Sequence, residues 1–245
     1  AGRKGRLLRF EPGAYRAVGV ECEGRFARVG LADMAGGVQA RETIELGDFA
    51  RTRDLSPLAA AIRRMCAAAN GAPVLGVCIG FPANLDPDAA AIVSYAAMDI
   101  QQPTSFAQVF PAFWREVELP VYLENDANLA CEGEAFLRRG AGGAANMLYL
   151  SIGSGCGGAV RLDGKLRRGA RCRAGEVGAM LLQPALGAPG RSAARETLED
   201  AVCLAALERR FGAALRDGAQ PGEASAQAMR DYLCGPLSGA VYSLV

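Results

Sequence analysis

Asn125 and Asp126 stand together within the run Glu124-Asn125-Asp126-Ala127-Asn128. A carboxylate in such a pair can accept the proton of a hydroxyl, and the adjacent amide can hydrogen-bond a neighbouring hydroxyl. The same residue types before a helix also serve as an N-cap with no ligand involved. A second candidate is the run Leu150-Ser151-Ile152-Gly153-Ser154-Gly155-Cys156-Gly157-Gly158. Its glycines would let the backbone approach a ligand closely and present N–H groups to phosphate. A tight hairpin needing positive φ explains them equally well. A third is Glu176, between Gly175 and Val177-Gly178. It is a carboxylate on a constrained loop, suited to a polyol and equally natural as a surface acid.

These groups need elements to hold them. Pro120 to Leu123 is a short apolar run read as a buried strand, so Asn125 and Asp126 fall at its carboxyl end, where α/β sheets bind ligands. Leu129 to Arg138 reads as the helix that follows. Tyr15 to Val20 and Phe26 to Leu31 read as a hairpin around the turn-like Glu21-Cys22-Glu23-Gly24, with Val38 to Leu46 as a third strand. Ser56 as N-cap and Pro57 at the first helical position open a helix that runs to Asn70-Gly71. Val74 to Phe81 is a continuous apolar run, as in a strand buried on both faces. Pro103 to Leu119 is mixed and partly helical. Asn146 to Ile152 and Ala159 to Leu162 are strands, Asp163-Gly164 is a hairpin turn, and Glu196 to Phe211 and Ala224 to Val245 are helical. Strand and helix signals alternate, which predicts an α/β architecture in two lobes.

Composition narrows the classes. Of 245 residues 51% are hydrophobic and 22% charged, with net charge +1. That is enough apolar mass for one large or two modest cores, and it lacks the basic excess of a nucleic-acid-binding surface. The eight cysteines form no C-x-x-C pair, and the chain has no histidine. They read as buried thiols of a reducing compartment. No signal-peptide pattern and no apolar run of about 18 residues appears, so a cytoplasmic protein with no membrane span is expected.

Taken in order, Asn125-Asp126-Ala127-Asn128, the glycine run at 153–158, Asp163-Gly164-Lys165-Leu166 and Ala174-Gly175-Glu176-Val177-Gly178 resemble the central signature of the ROK family of repressors and sugar kinases. The match is continuous from Leu119 to Met180 and weaker from Tyr15 to Glu199. The resemblance implies a two-lobed, ribonuclease-H-like or actin-like ATPase fold with a sugar in the cleft. It implies sugar contacts from Asn125, Asp126, Glu176 and Glu199, with Asp126 as the catalytic base in the kinases. Gly153, Gly155 and Gly157 fall on the family's second phosphate loop.

The departures from that family are informative. Where the kinases have Asp-x-Gly-x-Thr, this chain has Glu21-Cys22-Glu23-Gly24-Arg25. An anion at Glu23 repels phosphate and blocks close backbone approach, so ATP-Mg is not expected as a cofactor. The histidine after Gly-Glu-x-Gly is Ala179. The Cys-rich zinc segment is replaced by Leu186-Gly187-Ala188-Pro189-Gly190-Arg191, so no zinc is expected. Gly2 to Pro12 resembles the linker that follows a winged-helix domain in the family's repressors, or is simply a basic start.

The resulting expectation has residues 1–14 as a linker, 15–123 as the first lobe and 124–245 as a second lobe that continues past the last residue. The function expected is a sugar-responsive regulator reading a sugar or amino sugar. Operator DNA would be bound by a domain outside this chain. The alternatives are an ATP-dependent sugar kinase with Asp126 as base and a non-catalytic interaction protein. The apolar residues Tyr242, Leu244 and Val245 predict a homodimer or homotetramer.

Overall fold

The computed structural model describes residues 8–140, 144–182, 196–212 and 223–244. The chain forms two compact units, Ala1–Asp126 and Ala127–Val245. The division falls after Asp126, so Glu124 and Asn125 belong with the first unit rather than opening the second.

Alternation builds the first unit. In β1 (Arg16–Glu23), Val18, Val20 and Cys22 are buried while Gly19, Glu21 and Glu23 are exposed. β2 (Phe26–Asp33) repeats the pattern with Ala27, Val29 and Leu31 inside, and β3 (Val38–Glu45) lies outside it. β4 (Val74–Phe81) and β8 (Val121–Asn125) complete a sheet of order β3-β2-β1-β4-β8. The first three strands are antiparallel; β1, β4 and β8 are parallel. Two short helical turns, α1 (Phe49–Thr52) and the later α3 (Phe106–Val109), and the longer α2 (Ser56–Ala68) and α4 (Pro111–Glu116) pack around one core. From α2, Leu58, Ala61, Ile62 and Met65 point inward at helical spacing. Phe81, Phe106, Phe110 and Phe113 are fully buried and meet in tilted or edge-to-face pairs, the arrangement ring quadrupoles favour.

Several expectations are corrected here. Glu21-Cys22-Glu23 is strand rather than turn; the connection is only Gly24-Arg25, with Gly24 at φ +56. Ser56 is the first helical residue and not the cap: Asp54 Oδ1 accepts the Ser56 N–H at 2.8 Å and its hydroxyl at 2.6 Å. α5 (Asp126–Leu137) begins at Asp126, three residues before the predicted start. A second sheet, β5 (Asn84–Asp86), β6 (Ala91–Ser94) and β7 (Thr104–Ser105), was not foreseen. Of the expected linker, Pro12–Ala14 is a 3-10 turn tied to the residue just after β2 by the Met34 N–H on Pro12 O at 3.1 Å; residues 1–7 lie outside the described residues.

The second unit holds a three-stranded sheet of order β11-β10-β9, from β9 (Met147–Ile152), β10 (Cys156–Leu162) and β11 (Lys165–Leu166). The Asp163-Gly164 turn has φ +53 and +71, as a type I′ hairpin requires. The single helix expected from Glu196 to Phe211 is two, α6 (Leu198–Val202) and α7 (Leu204–Phe211). Cys203 is extended at the break, and the Leu204 N–H leaves the helix to bond Gly153 O at 2.8 Å. α8 (Glu223–Leu244) packs Tyr232, Leu233 and Leu237 against the core of Cys156, Val177, Leu198, Ala201 and Val202. No helix among the described residues is long and apolar enough to cross a membrane.

Candidate functional site

Register brings the carboxyl ends of three parallel strands together. Glu21 pairs with Gly80, Gly80 with Glu124, and Phe81 with Asn125. Asn125 ends β8 and Asp126 opens α5, so both predicted residues lie at a strand end, each half-buried. The Asn125 Nδ2 donates to Ala83 O at 3.3 Å. Glu124, buried beside them, accepts the Asn125 N–H through Oε1 at 3.0 Å. On the core face, Cys22 lies close enough to Asp126 to feel its charge. Burial, then Asp126, then Glu21 push its thiol up to about 12.

Sequence reasoning missed part of this neighbourhood. The β5–β6 hairpin packs against β8 and contributes Asn84, whose Nδ2 donates to Ser94 Oγ at 3.0 Å. Tyr95 follows, its ring edge-on to Phe81 at 5.6 Å. Burial, then Cys22, then Asp126 raise the Tyr95 phenol above its ordinary value. The signal available in sequence was Asn84 and Ser94, on strands of three and four residues too short for an alternation pattern, with Tyr95 just beyond the second.

At the β1 end, the residues standing where the kinases carry a phosphate loop are ion-paired. Arg28 Nε donates to Glu21 at 2.8 Å and its Nη2 to Glu23 at 2.6 Å. Glu21 and Arg28 are direct cross-strand partners. Arg25 reaches Glu45 at 3.3 Å. Two carboxylates thus share one guanidinium, leaving net negative charge at this strand end.

In the second unit, Gly153 and Gly155 lie in the turn between β9 and β10, whereas Gly157 lies within β10 itself. None of the three has positive φ, so the hairpin-geometry explanation for them fails. Gly155 instead lies beside the Glu199 carboxylate. Glu199, second residue of α6, accepts the Cys156 N–H through Oε2 at 2.9 Å, and a Cβ at Gly155 would stand 2.9 Å from that oxygen. The capping box of Thr197 and Asp200 fixes the helix end that carries Glu199. Burial, then Glu199, then Cys203 raise the Cys156 thiol to about 11.

Glu176 and Ala179 are exposed on the neighbouring loop. That loop presses onto β10 through glycines: a Cβ at Gly175 would come within 2.2 Å of Gly158 O, and one at Gly178 within 2.2 Å of Cys156 O. The 186–191 segment lies outside the described residues. No group of three or more metal-ligating side chains occurs among the described residues.

The first unit thus carries a carboxylate–amide pair at a strand end, and the second a glycine turn beside a glutamate that bonds β10. The ROK family pattern matches residues 17–229, and the chain belongs to the ROK family. It is 34% identical to the glucokinase of Halalkalibacterium halodurans over 141 residues, covering 55% of this chain and 40% of that protein. It is 33% identical to the xylose repressor of Caldicellulosiruptor bescii over 105 residues, covering 43% and 25%. The chain therefore spans less than half the length of these relatives. Among solved structures, the ROK hexokinase of Thermus thermophilus matches with a TM-score of 0.64 and 26% identity, covering 94% of this chain and 77% of that one. The α/β architecture is that of the actin-like ATPase fold of these ROK structures.

Proposed function

We propose that this chain is the sugar-binding part of a ROK transcriptional regulator that no longer transfers phosphate from ATP. The observation that carries this reading is the Glu21–Arg28–Glu23 cluster at the end of β1. A phosphate approaching that strand end meets two carboxylates whose one cation is already engaged, and a side chain where the backbone would need to come close. The sugar is read by Asn125 and Asp126, with Glu176 and Glu199 as the contacts the family resemblance adds. Sugar acts by preferring one conformation of the protein. Operator DNA is contacted by a domain outside this chain, and the complete protein assembles as a homodimer or homotetramer.

Asp126 supports a second reading. A carboxylate at the end of β8 is the group a sugar kinase would use as general base, and both kinases and repressors are among the relatives. Isothermal titration of the complete protein with hexoses and amino sugars, and separately with ATP-Mg, distinguishes the two. The regulator reading predicts heat from a sugar and none from ATP-Mg. Binding of both, with formation of a sugar phosphate, supports the kinase. Heat from neither leaves the non-catalytic interaction protein.

A further inference from the structure

We propose that Tyr95 is a further ligand-contacting residue of the Asn125–Asp126 site, its phenol donating to a hydroxyl of the same unphosphorylated sugar that Asp126 holds. The proposal rests on the sugar-binding reading above and adds a specificity determinant to it.

The geometry begins with the unforeseen sheet. β5 is tied to the end of β8 where Ala83 O accepts the Asn125 amide. β6 is tied to β5 where Ser94 Oγ accepts from Asn84. Tyr95 is the next residue, and its backbone is fixed on both sides: its N–H bonds Ile100 O at 2.9 Å and its carbonyl takes the Ile100 N–H at 3.1 Å. The ring is held against Phe81 at 5.6 Å and 67°, and Phe81 is the cross-strand partner of Asn125. A fixed backbone and a packed ring leave the phenol little freedom, which is what a group that reads ligand shape requires. Tyr95 as a whole is half-buried rather than sealed in the core. Cys22 and Asp126 both act on its ionisation, which places it in their company.

The chemistry is complementary. An ionised carboxylate offers acceptors only, and a protonated phenol offers a donor. A sugar hydroxyl is both donor and acceptor, so two neighbouring hydroxyls can satisfy one group each. A phosphate dianion would face the Asp126 carboxylate instead. A site built to hydrogen-bond a hydroxyl discriminates against the analogue that lacks it.

The test uses the complete protein, titrated with D-glucose, D-xylose, D-glucosamine and the monodeoxy analogues of whichever binds. Tyr95→Phe keeps the ring contact with Phe81 and removes only the hydroxyl. An unchanged melting temperature checks that the variant is folded. It should weaken the bound sugar by about three- to tenfold, and that loss should vanish for the one deoxy analogue missing the hydroxyl that the phenol meets. Combined with Asp126→Asn, the loss should differ from the product of the two single losses, because both groups hold one ligand. If Tyr95→Phe binds as the parent does while Asp126→Asn weakens binding at least about tenfold, the sugar site stands and the role of Tyr95 is overturned. If the parent binds none of these sugars, both readings fall together.

Discussion

At the scale of single residues, the proposed sugar site depends on carboxylates that would read hydroxyls. A hydrogen bond to a charged group contributes about 1.5–3 kcal/mol. Asp126→Asn and Glu176→Gln, which keep shape and remove charge, should each weaken sugar binding about ten- to a hundredfold; titration checks both. The buried thiols give an independent test. Cys22 is raised from 9.0 to about 12 and Cys156 from 9.0 to about 11. A raised thiol favours the neutral form in the folded state, so its stabilisation is complete below pH 9 and is lost as pH rises towards 11 and 12. Denaturation midpoints should fall over that window, and less steeply in Cys22→Ala. At pH 8 a thiol reagent should modify the exposed Cys234 first and leave the buried Cys22 and Cys156 unreacted until the protein unfolds. The Asn125–Asp126 pair was legible in the sequence because its members are adjacent and follow an apolar run. The bond from Cys156 to Glu199 was not, because 43 residues separate them and no local pattern carries the contact.

At the scale of elements, the glycines around the second-unit sheet separate into two kinds. Gly175 has φ +98 and no room for a Cβ beside Gly158 O. Gly175→Ala combines backbone strain with overpacking and should cost more than about 2 kcal/mol. Gly133, exposed within α5, would meet nothing within 4 Å. Gly133→Ala should stabilise by about 0.5–1 kcal/mol. Urea titrations that give the two substitutions the same sign would contradict this packing account. The sequence displayed both glycines equally; only the tertiary contacts tell them apart. The same holds for the helix expected to run unbroken to Phe211. Its apolar periodicity continues through Cys203, and what stops it is a carbonyl on the distant Gly153. The long strands were legible from continuous or alternating apolar runs, although β1 was cut short where charged residues alternate on its outer face. The β5–β6–β7 sheet was hidden because strands of two to four residues are shorter than one alternation period repeated.

At the scale of the whole molecule, the α/β class followed from alternating strand and helix signals, and the ROK family from the order and spacing of motifs that are weak one by one. The regulator-or-kinase question is of another kind. It turns on the charge at one strand end, where Glu21 and Glu23 bracket Arg28, against one retained carboxylate, Asp126. Exposed ion pairs of this sort add little stability, so the role proposed for them is electrostatic: two carboxylates around one guanidinium would disfavour an approaching phosphate. The most direct measurement is phosphoryl transfer from ATP-Mg to each sugar of the binding panel by the complete protein, followed as ADP release. A regulator with this strand end should show no turnover above the rate without protein for any sugar, including one that binds. Turnover of about 1 per second or faster, in the ordinary range of enzymes, would contradict it.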